Sequence, residues 1–333
     1  MVVNWNRRDL LAACLRSLSC QSFGDVEVIV VDNGSTDGSV EMLQAEFPSA
    51  PGWSIQVIRN DHNRGFCEAN NQGIAASRSE FVALLNNDAE ASAGWLRELH
   101  FAFQDRPEIG MAASKVLVYE DPSRIDKVGH LIYPDGQNRG RGSGEPDLGQ
   151  YDRIEETAWP DGCACMYRRA MLDEIGGFDE DFFAYADDAE LGLRAQIAGW
   201  KCLYIPTAVV RHRRGETLGL RSTARLELIE RNRVLLAAKL FPIGLLLLNP
   251  FYYFLRLSAG VVAAMRGRGE AARYPSKIAV ARALLRADAA ALRMLPRMLA
   301  KRRHLVRRIS TRDLYTFLHT YRIPLRKLTE DAI

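Results

Sequence analysis

Between Val2 and Asp88 the chain repeats one pattern, in which a short aliphatic run closes on Asn or Asp and a helix-forming segment follows. Val2-Val3-Asn4 opens the series, "VEVIVVDNGS" carries Asp32 and Asn33, "IQVIRN" is third, and "EFVALLNND" ends in Asn86-Asn87-Asp88. Runs that are apolar throughout belong to strands buried on both faces, and intervening helices imply a parallel sheet covered on both sides. Such sheets bind ligands beyond the carboxyl ends of their strands. The polar residues fall at that end, although a turn role stays open for any one Asn or Asp taken alone.

The segments between these runs read as helices from about Arg8 to Leu18, from near Ser39, and over "GFCEANNQGIAAS". In the first, Leu10, Leu11, Cys14, Leu15 and Leu18 share one side, the spacing of an amphipathic helix. Residues 110–160 lack such periodicity, and "YPDGQNRGRGSGEPDLGQYDR" reads as a long loop or flap. Its "GRGSG" is no dinucleotide fingerprint, because neither a strand before it nor an apolar helix after it is evident. A helix is expected from about Asp187 to Ala198, followed by a strand pair over "KCLYIPTAVVRHRRG".

Beyond residue 220 the pattern is helical. "RLELIERNRVLLAAKLF" reads as one helix, and the apolar stretch after it contains Arg256 as its only charge. The uncharged run from Phe241 to Leu255 is shorter than the roughly 20 residues of a spanning helix and contains Pro242 and Pro250. A helix pair at the membrane interface is the favoured reading, with a span and a buried hairpin as the alternatives. Apolar residues at 278, 281, 285, 292, 295 and 299 lie beside Arg282, Arg286, Arg293 and Arg297, the arrangement of a basic surface helix. Residues 266–333 hold 17 Lys and Arg against 5 Asp and Glu, a balance of +12 that leaves −9 for the preceding residues of a +3 chain. Such asymmetry suits a tail facing an anionic membrane surface, while the apolar stripe argues against nucleic acid. The six cysteines match neither zinc nor redox spacing, and "MVVNWNRRDLLAACL" lacks a secretory leader's pattern. Both observations lead to the expectation of a cytoplasmic protein, peripheral on the inner face of the plasma membrane.

Four patches, "VVDNGSTDGS", "LLNNDAE", "FFAYADDAELGLR" and "VVRHRRG", occur in an order that resembles the inverting family-2 glycosyltransferases. "VVNWNRRDLLAACLRSLSCQSF" and "NRGFCEANNQGI" fit the same pattern, and the resemblance spans about residues 1–235. Within that family the chain resembles the bacterial rhamnosyltransferase-type enzymes of cell-surface polysaccharide synthesis. The resemblance implies an α/β GT-A fold, a Rossmann-like, mostly parallel sheet with helices on both faces. The expected division is a transferase domain over 1–220, with a nucleotide-binding half over about 1–110 and an acceptor half over about 111–220. A helical, membrane-associating extension would occupy 221–333.

The resemblance also implies roles. A departing nucleoside diphosphate concentrates negative charge, which a divalent cation neutralises. Asn86-Asn87-Asp88 stands where the family has Asp-x-Asp, so Asp88 matches the Mn2+ or Mg2+ ligand and His212 a second metal or diphosphate contact. Asn4, Asp32, Asn33, Arg64, Asn86 and Asn87 match nucleotide-binding positions. Asp188 matches the catalytic base that takes the acceptor hydroxyl's proton, with Asp187 assisting, since adjacent acids raise one another's pKa. Trp159, Asp161, Gly162 and Phe182 would shape the sugar and acceptor pockets. The expected donor is a dTDP-, UDP- or GDP-sugar, with L-rhamnose the favoured sugar, and the expected acceptor is lipid-linked or a polysaccharide. Neither the Q-x-x-R-W motif nor the several spanning helices of processive synthases is found, which favours single-sugar transfer. The competing reading is a non-catalytic sugar- or membrane-binding protein with a degenerate transferase fold.

Overall fold

A computed structural model describes residues 1–24, 26–48, 52–214, 219, 222–266, 274 and 276–329. The front of the chain alternates as expected: β1 (Val2–Asn4), α1 (Arg8–Ser19), β2 (Val26–Asp32), α2 (Ser39–Glu46), β3 (Trp53–Arg59), α3 (Gly65–Ala76) and β4 (Phe81–Leu85). Leu11, Cys14, Leu15 and Leu18 are the buried side of α1. The turn before α2 is fixed by Asp37, whose carboxylate accepts the Ser39 amide at 3.1 Å and hydroxyl at 2.5 Å. Strands β1, β2 and β3 pair in parallel. Met1 extends this sheet to β4, because its amino group donates to the Ala83 carbonyl at 2.7 Å while its own carbonyl accepts the Leu85 amide.

Past β4 come β5 (Ala89–Ala91), α4 (Trp95–Phe101), β6 (Ile109–Val118), β7 (Ile125–Lys127), β8 (His130–Ile132), β9 (Asn138–Gly140), β10 (Glu155–Thr157), β11 (Ala164–Arg168), α5 (Arg169–Ile175), α6 (Asp187–Ile197) and β12 (Lys201–His212). The sheet is here mixed. β11 runs antiparallel to both β4 and β6, whereas β6 and β12 are parallel. Two expectations change. The segment 110–160, which shows no period, holds a fully buried ten-residue strand and several three-residue ones, and the expected loop over 133–153 is interrupted by β9. Lys201–His212 is a single strand rather than a pair, with its register against β6 broken between Ile205 and Val209.

The C-terminal region is helical: α7 (Thr223–Leu240), α8 (Ile243–Met265), α9 (Lys277–Lys301), α10 (Thr311–Thr320) and α11 (Leu325–Thr329). The expected helix pair over 241–265 is one continuous helix, with Pro250 inside it. That helix is long and apolar enough to cross a membrane by length and composition. Its one charge is the clasp that fastens it, since Arg256 donates to Asp135 at 2.6 Å and to both Glu230 oxygens at 2.9 and 2.7 Å. Leu247, Phe251, Phe254, Val261 and Met265 face outward, between 59% and 82% exposed, so the buried-hairpin alternative fails. On α9 the alanines 283, 287 and 291 and Met298 turn inward, leaving Ile278, Leu285, Leu292 and Leu299 exposed. Part of the charge asymmetry is satisfied internally: Arg297 and Lys301 reach Asp181, Lys301 also reaches Asp179, and Lys327 reaches Glu145.

Candidate active site

A cavity of about 620 Å³ opens at the carboxyl ends of the strands, and both Asp88 and Asp188 line it. Asp88 follows β4, held by the amide network that the first strands create. Asn4 is fully buried and donates to Asp32 at 3.1 Å, while its oxygen accepts from Asn87 at 2.8 Å. Asp32 also accepts the Ser35 amide at 2.9 Å. Asn33 donates to the Gly65 carbonyl at 3.1 Å and reaches the cavity wall beside Asn63, Asn86 and Asn87.

On this side His212, at the end of β12, stands between two carboxylates. Its Nδ1 is 2.7 Å from Asp126 and its Nε2 is 3.4 Å from Asp88. Asp126 is fully buried and is also 3.0 Å from Arg214. Burial alone would favour the neutral ring, but Cys163, Asp126 and Asp88 outweigh it and hold the His212 pKa well above its usual value. These groups therefore demand a positive charge, which the imidazolium supplies. A metal bound by a neutral ring and Asp88 answers the same demand. The Asp88 Oδ1 atom is buried, and the cation it faces is the His212 ring, whose Nε2 is 3.4 Å away. An oxygen of Asp88, the Nε2 of His212 and the orienting carboxylate of Asp126 fit a hard divalent ion.

Across the cavity, α6 begins with Asp187 and Asp188. The preceding loop is strained, with Phe183, Tyr185 and Ala186 all at positive φ. Asn232 of α7 secures it, its buried amide group donating to the carbonyls of Phe182, Ala184 and Tyr185 at 2.9, 2.8 and 2.7 Å. Asp188 accepts the Ala189 amide at 2.7 Å and the Gly162 amide at 3.3 Å. His130 Nε2 lies 2.9 Å from Asp161 and 3.4 Å from Asp188, and Lys127 Nζ lies 2.5 Å from Asp161. Ligand atoms of His130, Asp161 and Asp188 come within 4.8 Å of one another, a spacing a metal could use. The Lys127 ammonium already supplies a cation there. Burial pushes the Asp188 carboxyl above its ordinary pKa despite opposition from His130 and Lys127. Burial and then Asp188 raise Asp187 further, whereas Lys127 and His130 overcome burial at Asp161 and hold it well below the carboxylate range.

The Glycosyl transferase family 2 model matches residues 1–176. The chain belongs to that family. It is 26% identical over 235 residues to the N-acetylglucosaminyl-diphospho-decaprenol L-rhamnosyltransferase of Mycobacterium tuberculosis, covering 62% of this chain and 72% of the relative. Identity to the pre-mycofactocin glycosyltransferase of the same organism is 28% over 196 residues, 57% of this chain and 38% of that one. GalNAc-T7, solved with UDP, GalNAc and Mn2+, superposes with a TM-score of 0.58 at 14% identity, over 72% of this chain and 47% of that one. The mannosyltransferase PcManGT of Pyrobaculum calidifontis, solved with GDP-Man and Mn2+, gives 0.54 at 19%, over 92% and 83%. These likenesses show the GT-A fold of a glycosyltransferase.

Not every residue singled out in the transferase's sequence reaches the cavity. Asn33, Asn86, Asn87, Asp88, Asp161, Gly162, Asp187, Asp188 and His212 line it. Asn4 and Asp32 lie beneath it, where they brace Asn87 and the turn at Ser35. Arg64 turns to Glu68 at 2.8 Å and Asp61 at 3.4 Å. Trp159 is fully buried and stacks on His130 with ring centroids 6.1 Å apart, and Phe182 is core, so its neighbour Phe183 faces the cavity instead. Sequence reasoning missed Asp126, Lys127, His130, Arg139 and Arg225, all but Asp126 lining the cavity. The alternation Asp126-Lys127 before Gly129-His130 was the available signal, hidden in a segment without periodicity.

Proposed function

We propose that this transferase moves one sugar, L-rhamnose, from a nucleotide-sugar donor to a lipid-linked or polysaccharide acceptor in cell-surface glycan synthesis, with inversion. The observation that carries the reading is that Asp88, paired with His212, and Asp188, with a raised pKa, face one cavity. Asp88 and His212 would hold Mn2+ or Mg2+. Bound there, the ion offsets the charge that develops on the leaving diphosphate. Asn33, Asn86 and Asn87 offer amides to the nucleotide, and Arg139 and Arg214 offer cations to phosphate oxygens.

Asp188 accepts the proton of the acceptor hydroxyl as that oxygen bonds to the anomeric carbon. The bond from that carbon to the donor's diphosphate breaks, and its electron pair leaves on the phosphate oxygen. One displacement from the opposite face inverts the centre without a covalent sugar–enzyme intermediate. Asp187, its carboxyl raised by burial and by Asp188, assists by limiting the charge at the helix start. The lipid-linked acceptor is supported by the mycobacterial relative, named for its N-acetylglucosaminyl-diphospho-decaprenol acceptor. A cytoplasmic, membrane-peripheral placement is supported by the outward apolar residues of α8 and α9 beside Arg282 and Arg293.

The test is product formation from dTDP-rhamnose, UDP- and GDP-sugars, each with Mn2+ and a diphospho-lipid acceptor. Transfer from one donor, abolished by chelation and by Asp188→Asn, supports the reading. A protein that binds sugar nucleotides but never turns them over supports a degenerate, non-catalytic fold.

A further inference from the structure

Besides the carboxylates, residues of α7, α8 and α9 line the cavity, several of them aliphatic. Leu226 and Ile229 come from α7, Leu257 and Val261 from α8, and Val280 and Leu284 from α9. Arg225 stands where the lining changes, 5.5 Å from the ring of Tyr185 in the loop that leads to Asp187. Val261 both lines the cavity and is 59% exposed, so this apolar branch meets the outer face of α8 on which Phe254 and Met265 stand. Gly260 also lines the branch, and a side chain there would meet no heavy atom within 4 Å, so the groove is wide at that point. Glu230, Arg233 and Arg256 line the same region but are paired with one another, so the aliphatic side chains offer an apolar lining beside a cationic one, which suits a molecule with an anionic head and an apolar tail.

We propose that the apolar branch holds the aliphatic chain of a phosphate-linked lipid acceptor, with its phosphate at Arg225 and its sugar hydroxyl toward Asp188. The inference rests on the lipid-linked half of the function proposed above and adds the site. Shape and charge favour a tail that belongs to the substrate rather than bulk membrane, because the branch is continuous with the catalytic cavity and a guanidinium marks the junction.

The experiment measures binding of farnesyl diphosphate to the full chain, with inorganic pyrophosphate as the head without a tail and phosphatidylglycerol vesicles as the membrane without the head. The wild type is expected to bind farnesyl diphosphate at least about tenfold tighter than pyrophosphate, the equivalent of roughly two buried methylene groups. Gly260→Trp, which fills the branch, is expected to remove that preference and leave vesicle binding as it was. Leu257→Ala, a milder change, should reduce the preference about threefold and decides the matter if the larger substitution unfolds the protein. Mn2+-dependent binding of UDP or dTDP on the same samples reports an intact fold. Its failure in the wild type would count against the donor reading without touching this one. The proposal is overturned if the wild type does not distinguish farnesyl diphosphate from pyrophosphate, or if both branch variants keep the full preference. It is equally overturned if Phe254→Ser, on the outer face, abolishes the preference as Gly260→Trp does, because the tail would then lie on the outer surface of α8.

Discussion

Two histidines divide the cavity, and the contrast between them assigns the work. At His212 the carboxylates of Asp126 and Asp88 approach different ring nitrogens, so the ring is held from behind and aimed at Asp88. At His130 both Asp161 and Asp188 converge on Nε2, and Lys127 adds an ammonium beside them. In the first arrangement the charge facing Asp88 is a titratable imidazolium, which a metal held by the neutral ring and Asp88 would replace. In the second the charge is the fixed ammonium of Lys127, which suits the proposed role of orienting and tuning a base. Under the proposed function, the same residue types would serve as a metal site on one side and a proton acceptor on the other.

The largest effect that could break this contrast comes from Asp188→Asn. Loss of a general base costs about 10²–10⁴-fold in rate. Steady-state kinetics should show kcat falling in that range, with nucleotide affinity by calorimetry unchanged. A matching loss of nucleotide affinity would mean that the two sides do not divide the labour.

Asp126→Asn comes next. Partners that orient a metal-binding histidine are worth about 10–100-fold in metal affinity, so Mn2+ titrations should weaken by that factor. An unchanged affinity would remove His212 from the metal side. His130→Gln sharpens the other half. The ring opposes the rise in the Asp188 pKa, so removing it raises that pKa further. The acidic limb of the kcat/KM profile, below which Asp188 is protonated, should move to higher pH. A limb that stays in place separates His130 from the base.

The smallest effect is on stability. Asp187 has its pKa raised by burial and by Asp188, so the native state binds a proton that the unfolded chain releases. Stability therefore falls as pH rises from the ordinary carboxylate value through the raised one. Asp187→Asn should raise the unfolding temperature at pH 7 by about 2–4 °C per kcal/mol relieved, with no gain near pH 3. A gain independent of pH would show that packing, not charge, is responsible.

The place of Asp88 and His212 at the cavity was legible in the sequence because both close apolar strands: Asp88 follows β4 and His212 ends β12. Asp188 was legible as the start of a periodic helix. The base side's other members were not, since Lys127 ends a three-residue strand and His130 begins another, lengths at which no period can be read. Trp159 and Phe182 show the reverse error. An aromatic near a motif reads as a pocket wall, but both are buried, and Trp159 acts only through the ring of His130 that it stacks on. Arg64 was misplaced because its i+4 neighbour Glu68 offered a closer partner than the cavity. Arg256 looked like a flaw in an apolar helix and proved to be its attachment.

The most direct test is a crystal of the full chain soaked with Mn2+ and a nucleoside diphosphate, read by anomalous scattering. The account predicts a single manganese peak bonded to the Asp88 carboxylate and beside His212 Nε2, with Asp188 facing it across the cavity. A peak among His130, Asp161 and Asp188 would exchange the two roles and contradict it.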